Sequence, residues 1–300
     1  MIPASLAIGH HPFSRAVTPE RGVTHGLALD RQAVEPMHDA FAPMINAQRY
    51  DLCELAIVSA MQAVAFGKPL VLLPVTLAAR FQHGCLVRSA ERAPFGPNDL
   101  AGRTVAVRAY TQTTGAWVRT ILQTEYGVDS RSVRWITQTG AHLPDYEDPP
   151  FVRHVGRGPS LLDLLRTGEA DAAIFGNDLP DLPWIVPVIP DAAAAGAASA
   201  VRTGIVPVNH ILSVSRRWAD GGDDRLARVM ALFREAKDAA FFGAASDGTA
   251  DRTADGRDLY PLGIEAMRPS VEALLRSAFD QGLIPRAMTV DELFAGSPPA

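Results

Sequence analysis

Polar side chains that can bind anions or move protons recur along this chain directly after short apolar segments. Arg108 follows the apolar run Val105–Val107, and the polar stretch Tyr110–Gly115 leads into an amphipathic helix predicted over Trp117–Tyr126. A strand–loop–helix junction of this kind directs free backbone N–H groups and the positive end of a helix at one point. The junction therefore predicts an anion site, whose candidate contact residues are Arg108, Tyr110, Thr113 and Thr114.

Histidines and carboxylates occupy similar positions elsewhere in the chain. His10 and His11 end the first apolar segment, and Glu54 interrupts the run DLCELAIVS, where a buried carboxylate needs partners or a raised pKa. Each histidine can serve as an acid or base near neutral pH, or equally as a packed or capped turn residue. The further polar candidates at predicted strand ends are Ser59, Arg80, His83, His142, Asp145, Asn177, Asn209 and His210.

An alternation of strands and helices must position these residues. The segments ASLAIGHH, HGLALD, DLCELAI, LVLLPVTL and HGCLVRSA predict strands with helices between them, as in a parallel sheet covered on both faces. A second series follows APFGPNDLAG and begins with the strand RTVAVRAY. The low-complexity segment AAAAGAASAVRTG is predicted as a surface loop or a frayed helix, and the last third is helical.

The predicted fold class is α/β, with two lobes, a central cleft and two hinge crossings. Residues 1–90 with 205–300 are predicted to form the first lobe, and residues 91–204 the second. Ligands of open α/β sheets bind beyond the carboxyl ends of the strands, where the polar candidates lie.

Composition excludes several classes of function. The net charge of −5 and the lack of a lysine-rich tract argue against nucleic-acid binding, and no apolar run reaches the ~20 residues of a membrane span. The start MIPASLAIGHHPFSRAV lacks the features of a signal peptide, which predicts a cytoplasmic protein. Cys53 and Cys85 have no CxxC spacing, and HxH and HExxH are absent, so no metal site is predicted. The C-terminal helices either bury a homo-oligomer face or cover the first lobe.

Six segments in order carry a resemblance to a known family: YDLCELAIVSAMQAVAFGKPLVLLPV, RFQHGCLVR, RAYTQTTGAWVRTILQTEYGVD, RWITQTGAHLPDYEDPPFV, LLRTGEADAAIFG and TGIVPVNHI. Together they resemble the 4,5-dihydroxyphthalate decarboxylase family. That resemblance implies the type 2 periplasmic-binding-protein fold, which agrees with the two predicted lobes. The family's His-Val-x-Glu-Tyr is replaced by His142-Leu143-Pro144-Asp145-Tyr146. If Asp145 contacts substrate, its shorter reach changes specificity.

The resemblance implies a lyase of phthalate degradation and aromatic catabolism, which decarboxylates a hydroxylated aromatic dicarboxylate, foremost 4,5-dihydroxyphthalate to protocatechuate, without a cofactor. Under this hypothesis Arg108 with Thr113 and Thr114 holds the retained carboxylate. His83 or His10 delivers the proton, His142 being a further acid, and Glu54 or Asp145 acts at the phenol. The small-molecule aromatic carboxylate is then the expected partner. The alternatives are a non-enzymatic solute-binding protein for an aromatic or small carboxylate, and an enzyme for another carboxylate.

Overall fold

The computed structural model describes residues 1–176, 178–222, 224–242, 251–253 and 255–298. The strands are β1 (Ile2–Ala7), β2 (Leu27–Arg31), β3 (Leu52–Ala56), β4 (Leu70–Ala79), β5 (Leu86–Ser89), β6 (Thr104–Val107), β7 (Arg134–Thr137), β8 (Val152–His154), β9 (Ala172–Ile174), β10 (Ile185–Pro187) and β11 (Val208–Ser215). The helices are α1 (Pro19–Thr24), α2 (Phe41–Ala47), α3 (Ile57–Ala65), α4 (Thr113–Tyr126), α5 (Leu161–Thr167), α6 (Ala192–Thr203), α7 (Arg216–Ala219), α8 (Arg225–Phe242), α9 (Ile264–Asp280) and α10 (Val290–Leu293). None of the described helices combines the length and apolar character that a membrane span requires.

The chain divides into two units. The first comprises Met1–Arg80, Val208–Leu275 and Arg286–Ala300, and the second comprises Phe81–Pro207 and Arg276–Pro285. The first unit ends earlier than the predicted residue 90, because strand β5 pairs with β9 and β10 in the sheet of the second unit. Residues 276–285 also group with the second unit, where Gln281 accepts a hydrogen bond from Arg119.

The sheet of the first unit has the order β2-β1-β3-β11-β4. Strands β1, β2 and β3 are parallel, as predicted, but β11 runs antiparallel to both β3 and β4. The prediction of a wholly parallel sheet was therefore wrong, because the returning strand enters the middle of the sheet in the opposite direction. As a result, the carboxyl ends of β1 and β3 and the amino end of β11 lie at one edge of the sheet.

The core of the first unit packs α8 against this sheet. Leu6, Leu73 and Leu212 from the sheet and Phe233 from α8 are fully buried in one apolar cluster. The ring of Phe13 meets that of Phe233 edge-to-face, with the centroids 6.4 Å apart. Burial of large aromatic side chains makes this contact a major source of stability for the unit.

The sheet of the second unit has the order β10-β5-β9-β6-β7-β8. Strands β9, β6, β7 and β8 are parallel to one another, whereas β5 is antiparallel to both of its neighbours, β9 and β10. Helix α4 begins at Thr113 instead of Trp117 and ends at Tyr126. Gly127 caps it with a φ of 68°, which suits a residue without a side chain. The low-complexity segment forms a helix, α6, as one of the two predicted alternatives.

Replacement of Phe233 by alanine is expected to lower the free energy of unfolding by about 3–5 kcal/mol, because it opens a cavity in the apolar cluster. The matched control is Phe242→Ala on the same helix, where the ring is 65% exposed and the change should stay within about 0.5 kcal/mol. Equilibrium denaturation of the two variants checks the prediction. Equal losses would show that the cluster does not stabilise the unit as described.

Candidate functional site

Three predicted residues of the first unit come together at the shared edge of its sheet. Glu54 lies on β3, and its carboxylate is fully buried. His11 Nε2 is hydrogen-bonded to Glu54 Oε1 at 2.8 Å, and His210 Nδ1 contacts the same oxygen. Residues 54 and 212 are directly paired, and 210 shares a face with 212, so His210 lies diagonally across from Glu54. We call His11, Glu54 and His210 the Glu54 cluster.

The Glu54 carboxylate is held as an anion by its neighbours. Burial alone raises the pKa of a carboxyl group, but hydrogen bonds from His11 and His210, together with their charges, hold the pKa of Glu54 well below its ordinary value. Its second oxygen, Oε2, accepts the Gly9 backbone N–H at 2.7 Å. A Cβ at residue 9 would lie only 3.2 Å from both the Glu54 and the His11 side chains, so the close approach of the chain favours glycine here.

The turn after β1 is fixed by side chains that contact its backbone. Ser14 Oγ accepts the His11 N–H at 2.8 Å and donates to the Gly9 carbonyl at 2.7 Å. Arg31 donates to the carbonyls of Ile8 and Gly9 at 3.4 Å, and its charge interacts favourably with that of Glu54. These contacts hold His11 against the carboxylate.

The imidazoles of the Glu54 cluster reach the protein surface while its carboxylate does not. The side chains of His11 and His210 are 19% and 28% exposed. Phe41 meets the His210 ring edge-to-face at 5.6 Å. Two imidazoles beside a buried carboxylate and an aromatic ring can accept a proton from a ligand, donate one to it, or coordinate a cation.

The residues of the predicted anion junction lie in the loop before α4 and in its first turn. Thr113 and Thr114 form the first turn of α4 and are almost fully buried, and Arg108 is half-buried, with its carbonyl bonded to the N–H groups of Gln138 and Thr139. Tyr110 was predicted as a substrate contact. Its side chain instead lies in the core, fully buried, and its hydroxyl donates to the Gln281 carbonyl at 3.2 Å.

Sequence reasoning missed Arg119, a buried cation on α4. Its guanidinium lies 4.0 Å from the centroid of the Tyr110 ring. It donates through Nε to Gln281 Oε1 at 2.6 Å and through Nη2 to the Tyr110 carbonyl at 2.7 Å. The arginine thereby fixes the loop that precedes α4. Its position beside Trp117 and Val118 in an amphipathic helix gave no signal that it would point inward.

Exchange of Arg119 for lysine is expected to cost about 1–3 kcal/mol of stability, because one ammonium cannot satisfy both buried acceptors in the fork geometry of a guanidinium. Arg134→Lys, at an exposed position of the same unit, serves as the control and should be neutral. Urea denaturation of both variants gives the comparison. Indistinguishable midpoints would mean that the forked contacts of Arg119 contribute nothing to stability.

His83, the first predicted proton donor, is buried in the second unit. Its Nε2 lies 3.3 Å from Glu125 Oε1, and its Nδ1 has no hydrogen-bond partner within the described residues. Glu125 also accepts from Ser199 Oγ at 2.7 Å and from Arg202 Nη2 at 2.9 Å. Burial lowers the pKa of His83, although Glu125 opposes that effect. The arrangement ties α4 to α6, and the imidazole has no exposed face for a proton transfer to a ligand.

The folded protein disfavours a proton on His83, while the unfolded chain takes one up as pH falls through the ordinary value of 6.5. Stability contributed by this residue is therefore complete above that pH and declines below it, by at most about 1.4 kcal/mol per pH unit. We expect His83→Gln to lose less stability than the unsubstituted chain between pH 7 and pH 5 in denaturation experiments. Parallel pH profiles would contradict this account.

The remaining predicted residues lie at several places in the two units. His10 is exposed, Ser59 is buried in α3, Arg80 is half-buried, and Asn209 is buried beside His210 on β11. In the second unit His142 is half-buried and Asp145 is exposed. Asn177 lies outside the described residues.

Comparison with known proteins gives a relative in sequence and several in structure. No family model matches the chain. The 4,5-dihydroxyphthalate decarboxylase of Comamonas testosteroni is 26% identical over 97% of this chain and 95% of its own length. The alkanesulfonate-binding protein SsuA from Xanthomonas axonopodis pv. citri, bound to MOPS, superposes with a TM-score of 0.54 at 13% identity, over 97% of this chain and 96% of that one.

The chain has a two-lobed periplasmic-binding-protein fold. A variant of DSZB in complex with biphenyl-2-sulfinic acid shares it, with a TM-score of 0.55 at 15% identity over 98% of this chain and 96% of that one. DSZB is a desulfurization enzyme. The fold is therefore shared by a binding protein and an enzyme, and the function must be argued from the side chains.

Proposed function

We propose that this protein is a carboxy-lyase that acts on a hydroxylated aromatic dicarboxylate, with 4,5-dihydroxyphthalate as substrate and protocatechuate and CO2 as products. The observation that carries the proposal is the Glu54 cluster, a buried carboxylate with two partly exposed imidazoles at the edge of the sheet. The similarity to a decarboxylase along nearly the whole chain supports the same reaction class.

The chemistry requires a site that stabilises the phenol as an anion. Direct loss of CO2 would leave an unstable aryl anion. In the easier route a proton adds to the ring carbon that bears the carboxylate, while the phenolic oxygen loses its proton and becomes ketone-like. The carbon–carbon bond then breaks, CO2 leaves, the electron pair of that bond returns to the ring, and aromaticity is restored as the phenolic oxygen regains its proton. One proton is consumed for each CO2 released.

We assign the phenol end of the substrate to the Glu54 cluster. The two partly exposed imidazoles can donate hydrogen bonds to a phenolic oxygen and so stabilise a developing phenolate. His10 is the better of the two predicted donors to the ring carbon, because it is exposed next to the cluster whereas His83 is buried against Glu125. Arg108 remains the predicted partner of the retained carboxylate, as guanidinium pairs with carboxylate through two hydrogen bonds.

The test is incubation of the purified protein with 4,5-dihydroxyphthalate, with protocatechuate and CO2 followed by chromatography and gas analysis. Glu54→Gln keeps the shape of the side chain but removes its charge, so we expect kcat to fall about 100-fold or more. His25→Gln is the matched control. His25 pairs with Glu235 at 2.7 Å in the same unit, away from the cluster, and its loss should leave turnover unchanged.

Other outcomes would separate the alternatives. Tight binding of hydroxyphthalates without product would indicate a solute-binding protein. Turnover that Glu54→Gln leaves intact would contradict the assignment of the cluster. Replacement of Arg108 by alanine is expected to raise KM more than it lowers kcat, since a carboxylate that is retained contributes mainly to binding. A cytoplasmic location and a place in aromatic catabolism are part of the proposal.

A further inference from the structure

We propose that His11, Glu54 and His210 bind a first-row divalent transition-metal ion, and that this ion binds the two adjacent oxygens of a vicinal dihydroxy aromatic ring. The identity of the ring compound rests on the proposed function, whereas the metal site does not. The chain was predicted to have no metal site, so the inference departs from the sequence-based expectation.

The geometry fits a three-ligand site. One donor atom from each residue, two imidazole nitrogens and one carboxylate oxygen, lies within 4.8 Å of the other two. Metal–ligand distances of about 2.0–2.2 Å place neighbouring donor atoms roughly 3 Å apart. His11 Nε2 and Glu54 Oε1 are already 2.8 Å apart, so a small outward shift of the two partly exposed imidazoles is enough to admit an ion.

The donor set selects the class of metal. Imidazole nitrogen favours zinc, cobalt, iron, nickel and copper, whereas magnesium and calcium prefer sites made entirely of oxygen. Two histidines and one carboxylate leave coordination positions open, as in metal sites that bind substrate directly. Vicinal hydroxyls can occupy two such positions at once.

The surroundings orient the carboxylate for this role. The Gly9 N–H engages Oε2 at 2.7 Å, which leaves Oε1 to face the two imidazoles. Outer contacts of this kind fix the geometry of metal ligands. The ion, Glu54 and the nearby Arg31 together carry a net charge of +2, since two positive charges from the metal and one from Arg31 outweigh one negative charge. A doubly deprotonated vicinal diol neutralises that charge.

The sequence gives no motif for this site, because its ligands are distant along the chain. Glu54 is 43 residues from His11 and 156 residues from His210. The antiparallel entry of β11 next to β3 brings the third ligand to the other two.

The test uses the full chain without a polyhistidine tag, stripped with chelator and titrated with Zn²⁺ by calorimetry and with Co²⁺ by visible absorption. We expect one equivalent of each ion to bind, with Mg²⁺ as a negative control. His11→Gln, His210→Gln and Glu54→Gln should each weaken binding more than about 100-fold, because even loss of an outer contact costs 10–100-fold. His25→Gln should bind as the unsubstituted chain does, and circular dichroism verifies that each variant is folded.

Addition of catechol should change the Co²⁺ absorption spectrum, while resorcinol, whose hydroxyls are not adjacent, should leave it unaltered. Absence of stoichiometric Zn²⁺ or Co²⁺ uptake, or uptake that folded His11→Gln and His210→Gln retain in full, overturns the metal site. Full decarboxylation by the metal-free protein overturns the proposal that the ion binds the ring oxygens of the substrate but leaves the proposed function intact. Metal binding without decarboxylation of any hydroxyphthalate leaves the site intact and overturns the proposed function.

Discussion

The Glu54 carboxylate is a buried negative charge in the middle of a sheet, and the residues around it in the first unit compensate that charge. An unpaired ion at this depth would be too costly for a stable fold. Gly9, His11 and His210 supply the compensation from two other segments, and Arg31 adds a positive charge nearby. A buried carboxylate destabilises a fold when it is unpaired. Its position at the carboxyl end of a strand, where α/β sheets bind ligands, indicates a functional role.

The second unit contains a buried ion of the opposite sign. Arg119 is covered by Tyr110 and by the ring of Trp135, and its hydrogen bonds go to neutral oxygens. Because these partners lie in the loop before α4 and in residues 276–285, the guanidinium holds distant segments in one arrangement. Its role is to position the loop, whereas Glu54 lies beside side chains that a ligand can reach.

Local patterns in the sequence predicted most of the strands and helices, because hydrophobic runs and glycines at helix ends are features of neighbouring residues. The direction of β11 could not be predicted this way. An apolar strand has the same composition in either direction, and its neighbours are chosen by long-range packing. Glu54 was identified because a carboxylate in an apolar run is anomalous. Its partnership with His11 and His210 was not, since only the sheet order brings them together. Tyr110 was misplaced for the converse reason: a tyrosine in a polar loop resembles a ligand contact until its ring packs on Trp135.

The position of β11 also affects how the protein is made. During synthesis the ribosome delivers β1, β2, β3 and β4 long before residue 208, so the nascent amino-terminal segment has a gap between β3 and β4 that only a much later strand can fill. Until then Glu54 lacks His210, and the apolar edges of two strands are open to pairing with other chains. Contacts so distant in sequence form slowly, and unpaired strand edges are prone to aggregation until they form.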